Sequence, residues 1–411
     1  VGQYDLAVIG SDLGGLASAA LLGMRRKKSF LCTHQSSLAD ALGKVQQGGF
    51  SFSRGPALSY GFESGGAFHE LFSDLSITDI MPPLADGYQI ALPDRRITVS
   101  ARLDATLEEL RREFPREINE IANFYHDMKK VSMGLAKRRL DTFILRFRSA
   151  RSFIAKYHFS KEFLALLDIQ ALFFFQQPLL GLSLKDLLLL CTHNPYRNED
   201  GFMKIADRLA AMILRQGGAI RYNAQSTEIL FRKNRVVGLH TTQGAVEASS
   251  ILVDNPEKST PVFYLGIHDQ VVPVGMERDV LYLPDYSEPQ SFLSLSLSSK
   301  EDRTAAPQGM RTLTAAFHAP KGGAVASRNL LINRMSGLVP FLSDFIVLSH
   351  ESGSLLSPVV PKEISFKPLK TGKSDSLLFR GSKRNVYQLR ELQGAPQQMI
   401  SAVRKLTSKL A

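Results

Sequence analysis

The sequence is short of the residues that staple, span or cage. Its 411 residues include two cysteines, Cys32 and Cys191, and no C-x-x-C pair. That excludes a disulfide framework and predicts a reducing, cytoplasmic setting. Tryptophan is absent, and His158, His193, His240, His268, His318 and His350 are scattered without ligand spacing, so no metal site is expected. No apolar run reaches the roughly 18–20 residues that a membrane-crossing helix needs. The greasiest stretch, Phe163 to Cys191, is broken by Asp168, Gln170, Gln176, Gln177, Pro178, Lys185 and Asp186. Acidic residues are in deficit as well: 39 Asp and Glu face 50 Lys and Arg, for a net charge of +11. That balance favours anionic partners, a lipid surface or phosphorylated ligands among them. No nucleic-acid-binding module accompanies the charge, so nucleic acid is not expected.

What is present is an ordinary globular composition, 44% hydrophobic and 22% charged, in a chain long enough for two interleaved domains. Tyr4 to Gly10 reads as a short apolar strand, which predicts no secretory leader ahead of it. Gly14 to Arg25 is rich in helix-forming Leu and Ala, and Ser29 to Thr33 reads as the next strand. Tyr88–Ala91 and Arg96–Val99 flank Pro93–Asp94 as a hairpin, and Ala105 to about Leu190 is helical in pattern. A helix over Gly201–Gln216 leads through Gly217–Gly218 to a strand at Ala219–Asn223. Strands follow at Thr227–Phe231, Arg235–Thr241 and Ser250–Asp254, then antiparallel alternation from Pro261 to Ala319. A last strand, Ser376–Arg380, precedes a helix at Pro396–Leu410.

The segment Gly10-Ser11-Asp12-Leu13-Gly14-Gly15 stands where the first strand hands over to the first helix. In a G-x-G-x-x-G turn the first glycine makes the bend, the second admits a pyrophosphate and the third lets helix and strand pack closely. Here Gly10 and Gly15 fill the first and third places, and Asp12 the second. Taken alone, a broken turn of this kind is weak; any strand-to-helix turn in an α/β protein explains it.

Longer stretches carry more. VIGSDLGGLASAALL, GGFSFSRGPALSYGFESGGAFHELFSDLSI and DGFMKIADRLAAMILRQGGAIRYNAQSTEIL, continued by RVVGL, AAPQGMRTLT and SLLFRGSK, run in order along the chain. In these the sequence resembles the phytoene desaturase and carotenoid isomerase family of FAD-dependent oxidoreductases, in the amine oxidase clan. The resemblance implies an α/β fold: an FAD-type Rossmann (GR2-like) domain interleaved with a mixed sheet-plus-helix substrate domain. It places the first at 1–85, 195–260 and 345–411, and the second at 86–194 and 261–344. It implies FAD as cofactor, with Gly10, Ser11, Asp12, Gly14 and Gly15 at the pyrophosphate, and an extended lipophilic substrate.

The chain departs from that family's pattern at several places. Thr33 stands where an acidic residue bonds the adenosine ribose, and Lys44 where an Arg meets the pyrophosphate. Ser226 replaces a hydrophobic residue at the adenine, and Gly381-Ser382 stands for a Gly-Asp on the flavin side. A lost hydrogen bond to a partly buried ribose costs about 1–3 kcal/mol. A carboxylate at Asp12 adds repulsion on the order of a few kcal/mol. The expectation is weakened FAD binding.

Because the flavin carries the redox chemistry in this class, no catalytic acid or base is assigned. Glu63 and His69, near the glycine-rich loop, suit either a substrate channel or the start of a helix. Between Lys129 and Lys161, ten Lys and Arg with a single intervening Asp141 interleave with Phe143, Leu145, Phe147, Phe153, Ile154, Tyr157 and Phe159. Such a stretch suits either a solvated helix face or peripheral binding to an anionic membrane from the cytoplasmic side. Two rivals to the oxidoreductase reading stand beside it. One is a binding or chaperone-like protein that kept the fold and lost the flavin. The other, an amine-oxidising flavoenzyme, is disfavoured because 11 Tyr and no Trp leave little for an aromatic cage.

Overall fold

A computed structural model describes residues 3–136, 148–232, 235–254, 261–318, 327–352, 379–381, 385–389 and 396–410. Its centre is a six-stranded sheet in the order Ala219–Arg221, Ser29–Cys32, Leu6–Ile9, Ile251–Asp254, Val386–Leu389, Phe379–Gly381. All neighbours are parallel except the last pair. Strands covered on both faces read as unbroken apolar runs, and Leu6, Ala7, Val8 and Ile9 are all buried. Leu6 and Val8 join one core with the helices Leu13–Met24, Met203–Arg215 and Pro396–Leu410, through Leu16, Leu209 and Val403. Ala7 and Ile9 join another, closed by Ile229, Leu239 and Val246 of a four-stranded sheet. That sheet runs Gln3–Tyr4, Gly244–Ala248, Arg235–Thr241, Ser226–Arg232. The result is a helix layer, a parallel sheet and a second sheet, the architecture of an FAD-type Rossmann fold.

A seven-stranded sheet forms the other body of the molecule. Its order is Ile346–Ser352, Val262–His268, Met310–His318, Phe292–Leu297, Asp279–Tyr282, Gly87–Ala91, Arg96–Ser100. The alternation in FLSLSL is a two-residue period. Leu293, Leu295 and Leu297 enter the core with Leu331, Met335 and Leu338. Behind the hairpin, helices Leu103–Glu113, Ile118–Ala136, Ala150–Ile154, Lys161–Phe175 and Leu184–Thr192 bury Phe124, Phe163, Phe174 and Tyr88 in the largest core.

The structure refines two expectations. Ile346–Ser352 pairs antiparallel with Val262–His268, so the substrate-side sheet runs past position 345 and takes a strand assigned to the Rossmann part. Where it is described, the basic, aromatic stretch packs several of its apolar side chains against the core. Phe153 and Ile154 are buried, and the rings of Tyr157 and Phe159 each meet Phe124 at 5.4 Å, edge to face. Tyr157 and Phe159 stay partly exposed. The residues 137–147 and Ser376–Leu378 lie outside the described residues. Among the described residues no helix is long and apolar enough to cross a membrane.

Candidate functional site

In open α/β sheets the ligand-binding crevice lies beyond the carboxyl ends of the parallel strands. Leu6–Ile9, Ser29–Cys32 and Ile251–Asp254 all end there, followed by Gly10, Thr33 and the carboxyl of Asp254. Gly10 has φ +119° and so takes a conformation open to glycine. A side chain there would also strike the neighbouring strand, since a Cβ would stand 2.4 Å from the Asp254 carbonyl oxygen. Gly15, in the first turn of helix Leu13–Met24, packs against the sheet: a Cβ would stand 2.8 Å from Val8 Cγ1. The first and third glycines therefore do what the turn requires. The Gly14 carbonyl accepts from Ser18 Oγ at 2.7 Å, an ordinary helix contact.

The cavity at this edge is lined by Gly10, Ser11, Asp12, Thr33, His34, Gln35, Ala41 and Asp254. Thus the structure brings Gly10, Ser11, Asp12 and Thr33 together. Lys44, Ser226 and Gly381 do not line it. Lys44 opens the strand Lys44–Gln47 and pairs with Asp200 at 2.9 Å. Ser226 is buried at the start of a strand in the four-stranded sheet. Gly381 ends the antiparallel edge strand Phe379–Gly381, and Ser382 lies outside the described residues. Glu63 lies in the bend before helix Ala67–Leu75 and His69 in its first turn: Gly61 N donates to Glu63 Oε2 at 2.7 Å and Gly65 N to His69 Nδ1 at 3.4 Å.

Sequence reasoning missed Asp254. Its Oδ2 accepts from Gly15 N at 2.6 Å across 239 residues of sequence, and a further backbone hydrogen bond comes from Asp12. Asp12 stands at the helix N-cap position, but its own side chain makes no capping bond. A carboxylate from a neighbouring strand has taken the capping role, at the positive end of the helix dipole. Burial pushes the Asp254 carboxyl up to about 7, against the lowering effect of the two backbone hydrogen bonds. The available signal was an all-apolar strand, ILVD, ending in an acid at the ligand edge of the sheet.

Thr33 is also engaged: Ser11 Oγ and Thr33 Oγ1 lie 3.0 Å apart, and Gln35 N donates to the same Thr33 oxygen at 3.2 Å. The crevice beside these contacts holds a cavity of about 10 Å³, room for about one water molecule. The backbone turn fits a dinucleotide, while the side chains do not fit its diphosphate, since two acidic groups line the place that it needs. Cys32, at the end of the second strand, is buried, and that burial pushes its thiol up to about 12. Among the described residues no group of His, Cys, Asp and Glu is placed to hold a metal.

No protein-family model matches the chain. It is 22% identical over 289 residues to prolycopene isomerase 2, chloroplastic, of an Oncidium hybrid cultivar, covering 62% of this chain and 48% of that protein. Prolycopene isomerase of Arabidopsis thaliana is 20% identical over 378 residues, 75% of this chain and 62% of its own. The chain thus spans about half the length of the first of these curated relatives. Among solved structures, an oxidoreductase from Methanosarcina mazei superposes with a TM-score of 0.60 at 12% identity, over 98% of this chain and 100% of the other. Rab GDI from Plasmodium falciparum superposes with a TM-score of 0.68 at 11% identity, over 99% and 97%. Putrescine oxidase with bound putrescine gives 0.57 at 11% identity, over 100% and 99%. At these identities the structural likenesses speak for the fold alone.

Proposed function

We propose that this chain, a distant relative of the prolycopene isomerases on the fold of the FAD-dependent oxidoreductases, acts on an extended lipophilic molecule of polyene or isoprenoid type and holds FAD weakly. The observation that carries the reading is sequence kinship with polyene isomerases over more than half of the chain. It is joined to a Rossmann sheet whose glycine turn survives at Gly10 and Gly15. When bound, FAD would supply the redox chemistry. The protein's own part is to bind, orient and exclude water, for which its seven-stranded sheet and apolar helical layer provide the surroundings.

A second reading, a flavin-free binding or chaperone-like protein, is favoured by one observation: the Asp254 carboxylate on the N–H groups of the turn. A single preparation separates the two. The protein is purified without added flavin, and a linear carotenoid in detergent micelles is titrated in while its visible absorption is followed. FAD is titrated separately by the quenching of its fluorescence. A carotenoid band shift together with weak, saturable FAD binding is expected. Carotenoid binding with no FAD binding under any condition favours the second reading. No response to carotenoid by folded protein would discard the lipophilic substrate.

A further inference from the structure

We propose that the Asp254 carboxyl is a built-in occupant of the anion-binding turn. It holds backbone N–H groups in the crevice where a dinucleotide's diphosphate would sit, so carboxylate and diphosphate compete, and the crevice opens when that carboxylate is neutralised. The proposal rests on the weak FAD site of the reading above and names what weakens it.

The geometry leaves no room for both anions. Asp254 ends a strand that pairs Val253 with Ile9 on one side and itself with Leu389 on the other. Its main chain is therefore fixed by two neighbours. The side chain reaches Gly15 N at 2.6 Å, and Asp254 is buried to 1% exposure. The turn lies directly against it, since a Cβ on Gly10 or Gly15 would meet Asp254 atoms at 2.4 Å. A helix N-terminus gains from one anion, and a second at the same distance is repelled.

Acid weakens the internal anion's hold. A neutral carboxyl loses the charge assistance of its hydrogen bonds and no longer repels a diphosphate. Burial places this change near neutrality, with the carboxyl pushed up to about 7. The titratable groups that share the cavity are Asp12, at the N-cap of the first helix, and His34, beyond the second strand. The neighbouring strand Val386–Leu389 contributes Tyr387, paired with Leu252.

The experiment is FAD titration of the full chain at pH 6 and pH 8.5, with ADP as a second probe, for wild type, Asp254→Asn, Asp12→Asn and His34→Gln. For wild type, FAD should bind about 30-fold more weakly at pH 8.5, as expected for one group titrating near neutrality that must be protonated, and ADP, whose own terminal phosphate also titrates in this range, should weaken in the same direction. Asp254→Asn should bind equally at both values, at least as tightly as wild type in acid, while Asp12→Asn and His34→Gln keep the pH dependence. A flat wild-type profile, a pH dependence abolished by Asp12→Asn or His34→Gln instead, or no FAD binding by any protein would each overturn the proposal. If Asp254→Asn fails to fold, wild type still decides. Calorimetry at pH 8 in two buffers of different ionisation heat should show about one proton taken up per FAD bound, and none taken up would overturn it. The carotenoid titration of wild type, made on the same preparation, reports separately on the lipophilic substrate.

Discussion

Asp279 and Asp254, buried in different bodies of the molecule, are held in opposite ways. Asp279, in the seven-stranded sheet, forms an ion pair with Arg197, and both side chains are nearly closed to solvent, at 6% and 12% exposure. Asp254, in the parallel sheet, is held by backbone N–H groups at a helix start. A guanidinium that leaves its aspartate strands a buried charge, whereas the N–H groups of a helix belong to the fold and cannot leave. The first arrangement ties two segments of the chain together. The second keeps an anion where the fold elsewhere receives a ligand, so one acidic residue is a strut and the other is an occupant.

The largest expected effect lies on the strut. Arg197→Met removes the cation and leaves Asp279 buried without it, a change that costs about 3–5 kcal/mol. Urea unfolding should show that loss, and adding Asp279→Leu should recover most of it, because the uncompensated charge goes too. A loss below 1 kcal/mol would mean that Asp279 finds water or another partner, and the contrast between the two aspartates would dissolve.

The occupant should show itself through pH. The Asp254 carboxyl rises from an ordinary 3.8 to about 7 on folding. Between those values the folded chain keeps a proton that the unfolded chain has released. Stability from this group is therefore full in acid, falls as pH climbs from about 4 to about 7, and stays at its lower level above that. The size is on the order of a few kcal/mol. In Asp254→Asn this fall should be missing from a pH series of denaturation midpoints. An unchanged pH profile would show that the carboxyl does not titrate near neutrality.

How far the sequence went is seen in the same two bodies. The parallel sheet was legible because LAVI, FLC within SFLC and ILV within ILVD are short apolar runs, and the turn because glycine is required at Gly10 and Gly15. The alternation of FLSLSL announced an antiparallel sheet with one covered face. Three things were not legible. Strand order places Asp254 over the turn although 239 residues separate it from Gly15, and no local pattern records that. Lys44 was placed by analogy with an Arg, and its charge goes to Asp200 instead. In the basic stretch, mixed Lys, Arg and Phe do not reveal which way the rings point, and the structure turns Phe153 inward with a Lys156 ammonium 5.0 Å above it. Spacing within one segment is visible in sequence, while contact between distant segments is not.

The smallest expected effect tests the bridge that narrows the crevice. Ser11 and Thr33 share one hydrogen bond, 3.0 Å long and buried, between the turn and the end of the second strand. Thr33 also accepts from Gln35 N, so its hydroxyl ties the glycine turn to the loop after the second strand. Thr33→Val keeps the shape and removes both bonds. With Ser11 left to find another partner, the loss should be about 1 kcal/mol, within the usual range for a net hydrogen bond. Because the bridge carries no charge, the pH profile of stability should keep its form and move down as a whole, unlike that of Asp254→Asn. FAD affinity at pH 8.5 should stay as weak as in wild type, since the carboxylate is still in place. Tight FAD binding by Thr33→Val at that pH would show that the hydroxyl bridge, and not the Asp254 carboxylate, is what keeps the crevice shut.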